Sequence, residues 1–410
     1  MKLSAKALLY FLSSVIVLTT RFWGTNTSSY VRYCIMLLWG FCLVISLIQT
    51  NENKFEKTLI KNSLITLCLP YFIIGVYTLV IWQFQDDIVF GNYTRMCSTF
   101  LYLTLSWLYP CVGIYYFGRK GIDCIFYAGV CSYTVGSLMC LLFEHGFSGL
   151  SQYITGLIKG IDTSANYIME VHDITFAMGL FFIYYCFFEN RKQKNHRLKL
   201  YLSLAIIVLG LKRIEILALV VTIFLYFLLI RRGSKLKLKS WVFATLFMVA
   251  SVLFVYLINT NTLSYLALRL GIPRFEGRLS YYSFANDFFS FDIFYLGRGW
   301  TWFSRYFQTL YNSGYAINGH RIAASVHSDI LTMFIDIGLP FFVLWVFYLF
   351  AYRTIKFARL YGEKVGKCVL MTTIYTFTLY FTDNTITYVD TQMLFCMVPM
   401  AVFYASKEGE

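Results

Sequence analysis

The sequence points to an all-α polytopic membrane protein of about twelve transmembrane helices, for three reasons. The chain has 410 residues and 58% of them are apolar. Only 14% are Asp, Glu, Lys or Arg, where a soluble globular protein carries roughly 25%. The apolar residues fall in long runs broken by only 5 prolines, which favours helices over the short alternating strands of a membrane barrel. Twelve spans of roughly 20 residues would take up roughly 240 positions, close to the apolar total. A soluble enzyme, a disordered chain and a single-span receptor are thereby excluded.

The spans follow from the N-terminus onward. Lys2 and Lys6 precede an apolar run from Ala7 to Leu18 that resembles a signal peptide. It lacks an A-x-A cleavage pattern and leads straight into another span, so it reads as an uncleaved first helix, 5–20. Spans 31–49 and 63–82 flank Lys54, Lys57 and Lys61, and 96–117 and 122–143 flank Arg119 and Lys120. Spans 173–189 and 198–211 flank the stretch Arg191 to Lys199. Spans 214–230 and 240–258 flank Arg231 to Lys239, and 330–352 precedes Arg353 to Lys367. The last two, 368–382 and 388–405, are short, and the final one carries Asp390 near its start. Basic loops stay in the cytoplasm because moving them across the membrane is unfavourable. Both termini are therefore expected inside, with most of the 35 basic residues. That placement explains the net charge of +14 without a nucleic-acid partner. No Gly/Ser linker divides the chain, so 1–410 reads as one integral membrane domain.

The 11 cysteines lie mostly in apolar segments with no C-x-x-C pair. Cysteine there is usually a small hydrophobe, so neither a disulfide framework nor a metal site is expected.

Two connections exceed ordinary hairpins, 144–172 and 259–329, both expected outside. Loops this long in a compact protein are usually functional. The second holds Arg269, Arg274, Arg278, Arg298, Arg305 and Arg321 on the side where arginine is disfavoured. They pair either with the loop's own Glu276, Asp287, Asp292 and Asp329 or with an anionic substrate.

Candidate residues lie around this loop. Lys212 and Arg213 sit at a reversal with almost no connection, at the outer membrane surface, where charges are costly and tend to be functional. The plain alternative is a snorkelling turn paired to Glu215. Arg278, four residues after Arg274, opens a segment with Leu279, Tyr282 and Phe289 at helical spacing, expected as an amphipathic helix on the bilayer. Gly297-Arg298-Gly299 permits a tight turn but is no nucleotide fingerprint without a strand and helix around it. His327, with Asp329 close behind, stands where the loop returns to the membrane. Headgroup contact is the plain reading for a lone histidine there.

Together, Arg213 at the reversal, Arg278 with aromatics following, Gly297-x-Gly299, and His327-Ser328 before a long apolar span resemble the Wzy polymerase and O-antigen ligase superfamily. These are bacterial polytopic enzymes with a large outer loop late in the chain. The likeness covers the topology of the whole chain, with its motifs in 210–340. Ser328 departs from it, since many relatives carry asparagine there, as do Tyr281 and Tyr282, near where tryptophan is frequent.

The resemblance implies a repeat-unit polymerase of the bacterial plasma membrane, active on the outer face in capsule or O-antigen biosynthesis. The donor would be an undecaprenyl-diphosphate-linked oligosaccharide and the acceptor a lipid-linked repeat, with no metal ion or other cofactor. Membrane lipids, a chain-length regulator and a flippase are the further partners implied. His327, Arg213 and Arg278 would be catalytic, and Lys212, Arg274, Gly297, Arg298, Gly299 and Asp329 would bind substrate. Arginine forks suit phosphate oxygens and balance charge growing on a leaving diphosphate. A histidine suits the proton of the attacking hydroxyl, and Asp329 is a candidate to orient it. An O-antigen ligase and a flippase for the same lipid-linked saccharide remain the alternatives. A transporter should place charges near mid-bilayer, and Asp336 is the clearest such residue in the sequence.

Overall fold

The structure, a computed structural model, describes residues 4–19, 25–49, 54–139, 142, 146–149, 151–152, 155–156, 159, 174–210, 212–231, 235–269, 276–317, 320–321 and 325–407. Helices occupy each of the twelve apolar segments. They are α1 (Ala5–Leu18), α2 (Thr25–Gln49), α3 (Lys54–Ile81), α4 (Phe90–Phe117), α5 (Lys120–Tyr133), α6 (Ile174–Phe187), α7 (His196–Gly210), α8 (Arg213–Leu225) and α9 (Leu236–Asn259). The connection 259–329 then forms α10 (Thr262–Arg269), α11 (Glu276–Ala285) and α12 (Trp302–Asn312). A two-residue antiparallel ladder pairs Ala316–Ile317 with His320–Arg321. The chain closes with α13 (Asp329–Phe347), α14 (Arg353–Tyr361), α15 (Glu363–Leu379) and α16 (Val389–Lys407). Seven described helices are long and apolar enough to cross a membrane: α2, α3, α4, α8, α9, α13 with α14, and α16. Helices α1 and α6 are apolar but shorter.

The centre of the bundle is α16, which packs on α4, α15 and α6. Of its most apolar stretch 83% is buried, against 22% for α2. Its burial explains why this segment looked weakest in the sequence. A helix that faces protein rather than lipid can carry polar groups where partners satisfy them. Gln392 of α16 accepts from the Trp107 indole at 3.1 Å and donates to the Thr385 carbonyl at 3.2 Å. Along α15, Thr372, Thr373 and Thr376 are likewise buried, with hydroxyls bonded to carbonyls three or four residues earlier. The α2, α8 and α9 surfaces instead expose large apolar residues such as Phe41, Phe224 and Leu253.

Part of the 259–329 connection enters the bundle. Helix α13 breaks at Gly338 (φ 69°, ψ 169°), and residues 295–303 dock into the break. The Gly299 N–H donates to the Asp336 carbonyl at 2.7 Å, Arg298 N–H to Ile335 at 2.9 Å, and Leu339 N–H to the Tyr295 carbonyl at 3.1 Å. From α3 and the turn after it, Tyr77 and Trp82 donate to the carbonyls of Leu296 and Arg298. Irregular backbone at this depth is tolerated because its polar groups are satisfied within the protein. A side chain at Gly338 would meet the Tyr295 carbonyl oxygen at 2.2 Å, and one at Gly297 (φ 90°) would meet that of Asp336 at 2.5 Å. Gly338→Ala is therefore expected to destabilise the fold by about 2–5 kcal/mol through left-handed strain and overpacking. The unfolding temperature of the purified chain measures this, and an unchanged value would mean that the break is not needed.

Asp336 finds its explanation here. Its two carboxylate oxygens accept the backbone N–H groups of Thr301 and Phe303, at 2.8 and 2.9 Å. It caps the N-terminus of α12 from a neighbouring helix, supplying acceptors for N–H groups that the helix leaves unpaired. At the opposite end of the bundle, Glu189 accepts from Arg119 at 3.1 Å, from His196 at 2.8 Å and from Lys199, while Lys199 also reaches Asp123 at 2.9 Å. This buried cluster ties together two of the connections whose positive charge marked them as inner.

Candidate functional site

The residues that matter most lie where four connections meet at the end of the bundle opposite Glu189. They are the α7–α8 reversal, the start of α11, the approach to α13, and the short turn between α15 and α16. The last two are bound tightly to each other. Asp329 N–H donates to the Asp383 carbonyl at 3.1 Å and Ile330 N–H to that of Tyr380 at 3.0 Å. Asn384 donates to the Ser325 hydroxyl at 2.6 Å.

His327 lies on this platform in a left-handed backbone conformation (φ 53°). Few residues other than glycine adopt it, although histidine does so more readily than most. The turn is held from both sides. Tyr282 of α11 reaches the His327 carbonyl at 3.5 Å, and the next residue, Ser328, caps α13 by accepting the Leu331 N–H at 3.2 Å. Serine thus supplies a helix cap at the position where the resemblance led us to expect asparagine. Burial pushes the Tyr282 phenol up to about 12, so it stays a donor.

Three charged groups act on the imidazole. Burial draws its pKa below the ordinary 6.5, Asp383 pulls it upward, and Arg278 and Lys212 push it further down. At neutral pH His327 is therefore uncharged and able to accept a proton. If it serves as a base, activity should hold through neutral pH and fall only as pH drops through a value below 6.5. A rate profile whose acid limb lies above that value would exclude His327 as the titrating group.

The partners are positioned as firmly. Arg278, half-buried in the first turn of α11, donates one guanidinium N–H to the Thr382 carbonyl at 2.8 Å. Lys212, half-buried, stands over the Phe176 ring at 4.2 Å, and Phe176 stacks on Tyr388. Asp383 accepts the Tyr388 hydroxyl at 2.9 Å and the Asn384 N–H at 2.8 Å. A further carboxylate, Asp390, is buried at the start of α16, with Arg32 and Lys212 as its cationic neighbours. Cations, acids and a neutral histidine thus share one end of the bundle.

No protein-family model and no curated protein matches this chain.

Several expectations need correction. At the reversal, Lys212 acts on His327, while Arg213, expected to meet the diphosphate, is exposed. Glu215 is buried rather than at the surface, and Lys212 is its cationic neighbour, as the paired turn requires. Asp329 does not orient the histidine. It is buried, and its carboxylate accepts the Ile386 N–H at 2.8 Å, which fixes the α15–α16 turn. Asp383, which sequence reasoning passed over, holds that electrostatic position instead. Gly299 is buried against Trp82, so its part is close packing. Arg298 donates to the Phe288 carbonyl at 3.3 Å and lies over the Trp302 ring at 5.3 Å. Gly297 and Arg298 do line an open cavity of about 540 Å³ with Gln85, Asp287, Asp292 and Tyr295. The apolar face of α11 is turned into the protein, Tyr282 meeting Phe254 edge-on. Arg274 lies outside the described residues.

Proposed function

We propose that this chain is a Wzy-like repeat-unit polymerase. It would transfer an oligosaccharide from undecaprenyl diphosphate to a lipid-linked acceptor repeat on the outer face of the bacterial plasma membrane, in capsule or O-antigen synthesis. The observation that carries the reading is the meeting of a neutral histidine, Asp383 and two cations at the end of the bundle assigned to the outside by its basic loops. Such a set suits one reaction well. The acceptor hydroxyl attacks C1 of the donor sugar, its proton passes to His327, and the C1–O bond breaks with its electrons going to the diphosphate. Arg278 and Lys212 balance the charge that grows there. Asp383 stabilises the imidazolium until the proton leaves. Arg213, exposed beside Lys212, meets the lipid phosphate at the mouth of the site. The cavity at Asp287, Asp292 and Arg298 offers carboxylates and an aromatic ring to the hydroxyls of the acceptor sugar.

The alternatives are a ligase, which uses the same groups with another acceptor, and a flippase. A flippase would place charges at mid-span, and Asp336, the clearest such residue in the sequence, serves as a helix cap. Proteoliposomes containing the purified chain distinguish the three. With lipid-diphosphate oligosaccharide alone, a polymerase releases undecaprenyl diphosphate and lengthens the remaining lipid-linked glycans. A ligase needs a second acceptor before either product forms, and a flippase forms neither.

A further inference from the structure

We propose that Arg353 holds a small monovalent anion of the halide class inside the bundle, at a site separate from the one above. The sequence groups Arg353 with an inner basic run, yet only 1% of it is exposed. It follows a π turn at Tyr348–Tyr352 that interrupts the α13–α14 helix, a feature frequent at functional sites. One guanidinium nitrogen donates to the Phe395 carbonyl at 3.0 Å, and the group lies 4.1 Å above the Phe395 ring. Among the described residues, the remaining nitrogens, Nε and Nη1, have no hydrogen-bond partner, and neither does the neighbouring Tyr348 hydroxyl.

The charge is what demands a ligand. Arginine stays protonated inside proteins, and a buried charge without a counter-charge is strongly unfavourable. The groups acting on Arg353 are Cys396, Tyr348, Cys368 and Tyr380, thiols and phenols rather than carboxylates. No carboxylate among the described residues forms an ion pair with it. The inner cluster makes the contrast plain, since there Arg119 and Lys199 are met by Glu189 and Asp123. The smallest single negative charge that accepts N–H and O–H groups is a halide. A lipid phosphate is too large for a group this enclosed, and a dianion would overcompensate one guanidinium.

The purified chain in detergent should unfold at higher temperature in sodium chloride than in sodium gluconate of equal ionic strength, with the rise saturating as chloride increases. Arg353→Met should lose this rise, whereas Arg359→Met, at an exposed position further along α14, should keep it. Equal unfolding temperatures in the two salts would overturn the proposal, as would an undiminished rise in Arg353→Met. Should that variant fail to fold, equilibrium dialysis of the wild-type chain against radiolabelled chloride decides. One saturable site per chain is expected, and linear uptake without saturation refutes it.

Discussion

Cells carrying His327→Ala should stop extending polymer while single lipid-linked repeats accumulate on the outer face of the membrane. Removing a general base costs roughly 10²–10⁴-fold in rate, too much to be mistaken for a mild folding defect. The accumulated repeats should be open to an added glycosidase in intact spheroplasts. A flippase without an essential residue would trap them on the cytoplasmic side, so the location of the repeats separates enzyme from transporter. The positive φ of His327 calls for a second variant, because alanine tolerates a left-handed backbone poorly. His327→Asn accepts that conformation more readily and cannot act as a base. It should keep normal protein levels and show the same arrest. Polymer of normal length in the asparagine variant would remove His327 from the chemistry.

The bundle was readable in the sequence because lipid imposes a simple rule on the surfaces that face it. Spans such as α2, α8 and α9 are apolar nearly throughout, and their positions agree with the structure to within a turn or two at most ends. The buried helices were harder. Helix α16 begins with Val389-Asp390-Thr391-Gln392, a run that makes sense only beside Arg32, Lys212 and Trp107, all distant in the chain. The same limit applied to the charges. Asp336 read as a mid-span carboxylate because nothing in its neighbourhood announces the N–H groups of Thr301 and Phe303. Arg353 read as the first residue of a cytoplasmic run because burial cannot be seen in a string of basic residues. Of the candidate site, His327 and Arg278 were found, because a histidine at a membrane boundary and an arginine before an aromatic helix are local signals. Asp383 was missed, although Thr382-Asp383-Asn384 in a five-residue connection between two spans was a signal of the same kind. The choice between Lys212 and Arg213 depends on which way each faces at the start of α8, which adjacent positions do not reveal.

Arg278→Lys should lower polymerisation by two to three decades while protein level holds, a loss of about 3–4 kcal/mol of transition-state stabilisation. The reason lies in the division of labour on one guanidinium. One N–H of Arg278 is already committed to the Thr382 carbonyl at 2.8 Å, which anchors the side chain to the turn that carries Asp383. Its other N–H groups remain in a fixed fork for phosphate oxygens. A lysine ammonium concentrates its three donors on one atom and cannot keep that anchor while presenting a planar pair to a diphosphate. Charge alone would thus be preserved and activity lost. The same exchange at the reversal should behave differently. Lys212→Arg keeps a cation near His327 and Arg213→Lys keeps one at the exposed mouth, so each should stay within roughly tenfold of wild type. Lys212→Met removes one of the two cations acting on His327 and should approach the Arg278→Lys loss. The order of the four rates, measured on lipid-diphosphate oligosaccharide at equal protein level, is the test. If Arg213→Lys falls as far as Arg278→Lys while Lys212→Met remains active, the arginine of the reversal is the one that holds the diphosphate. Lys212 would then only support it.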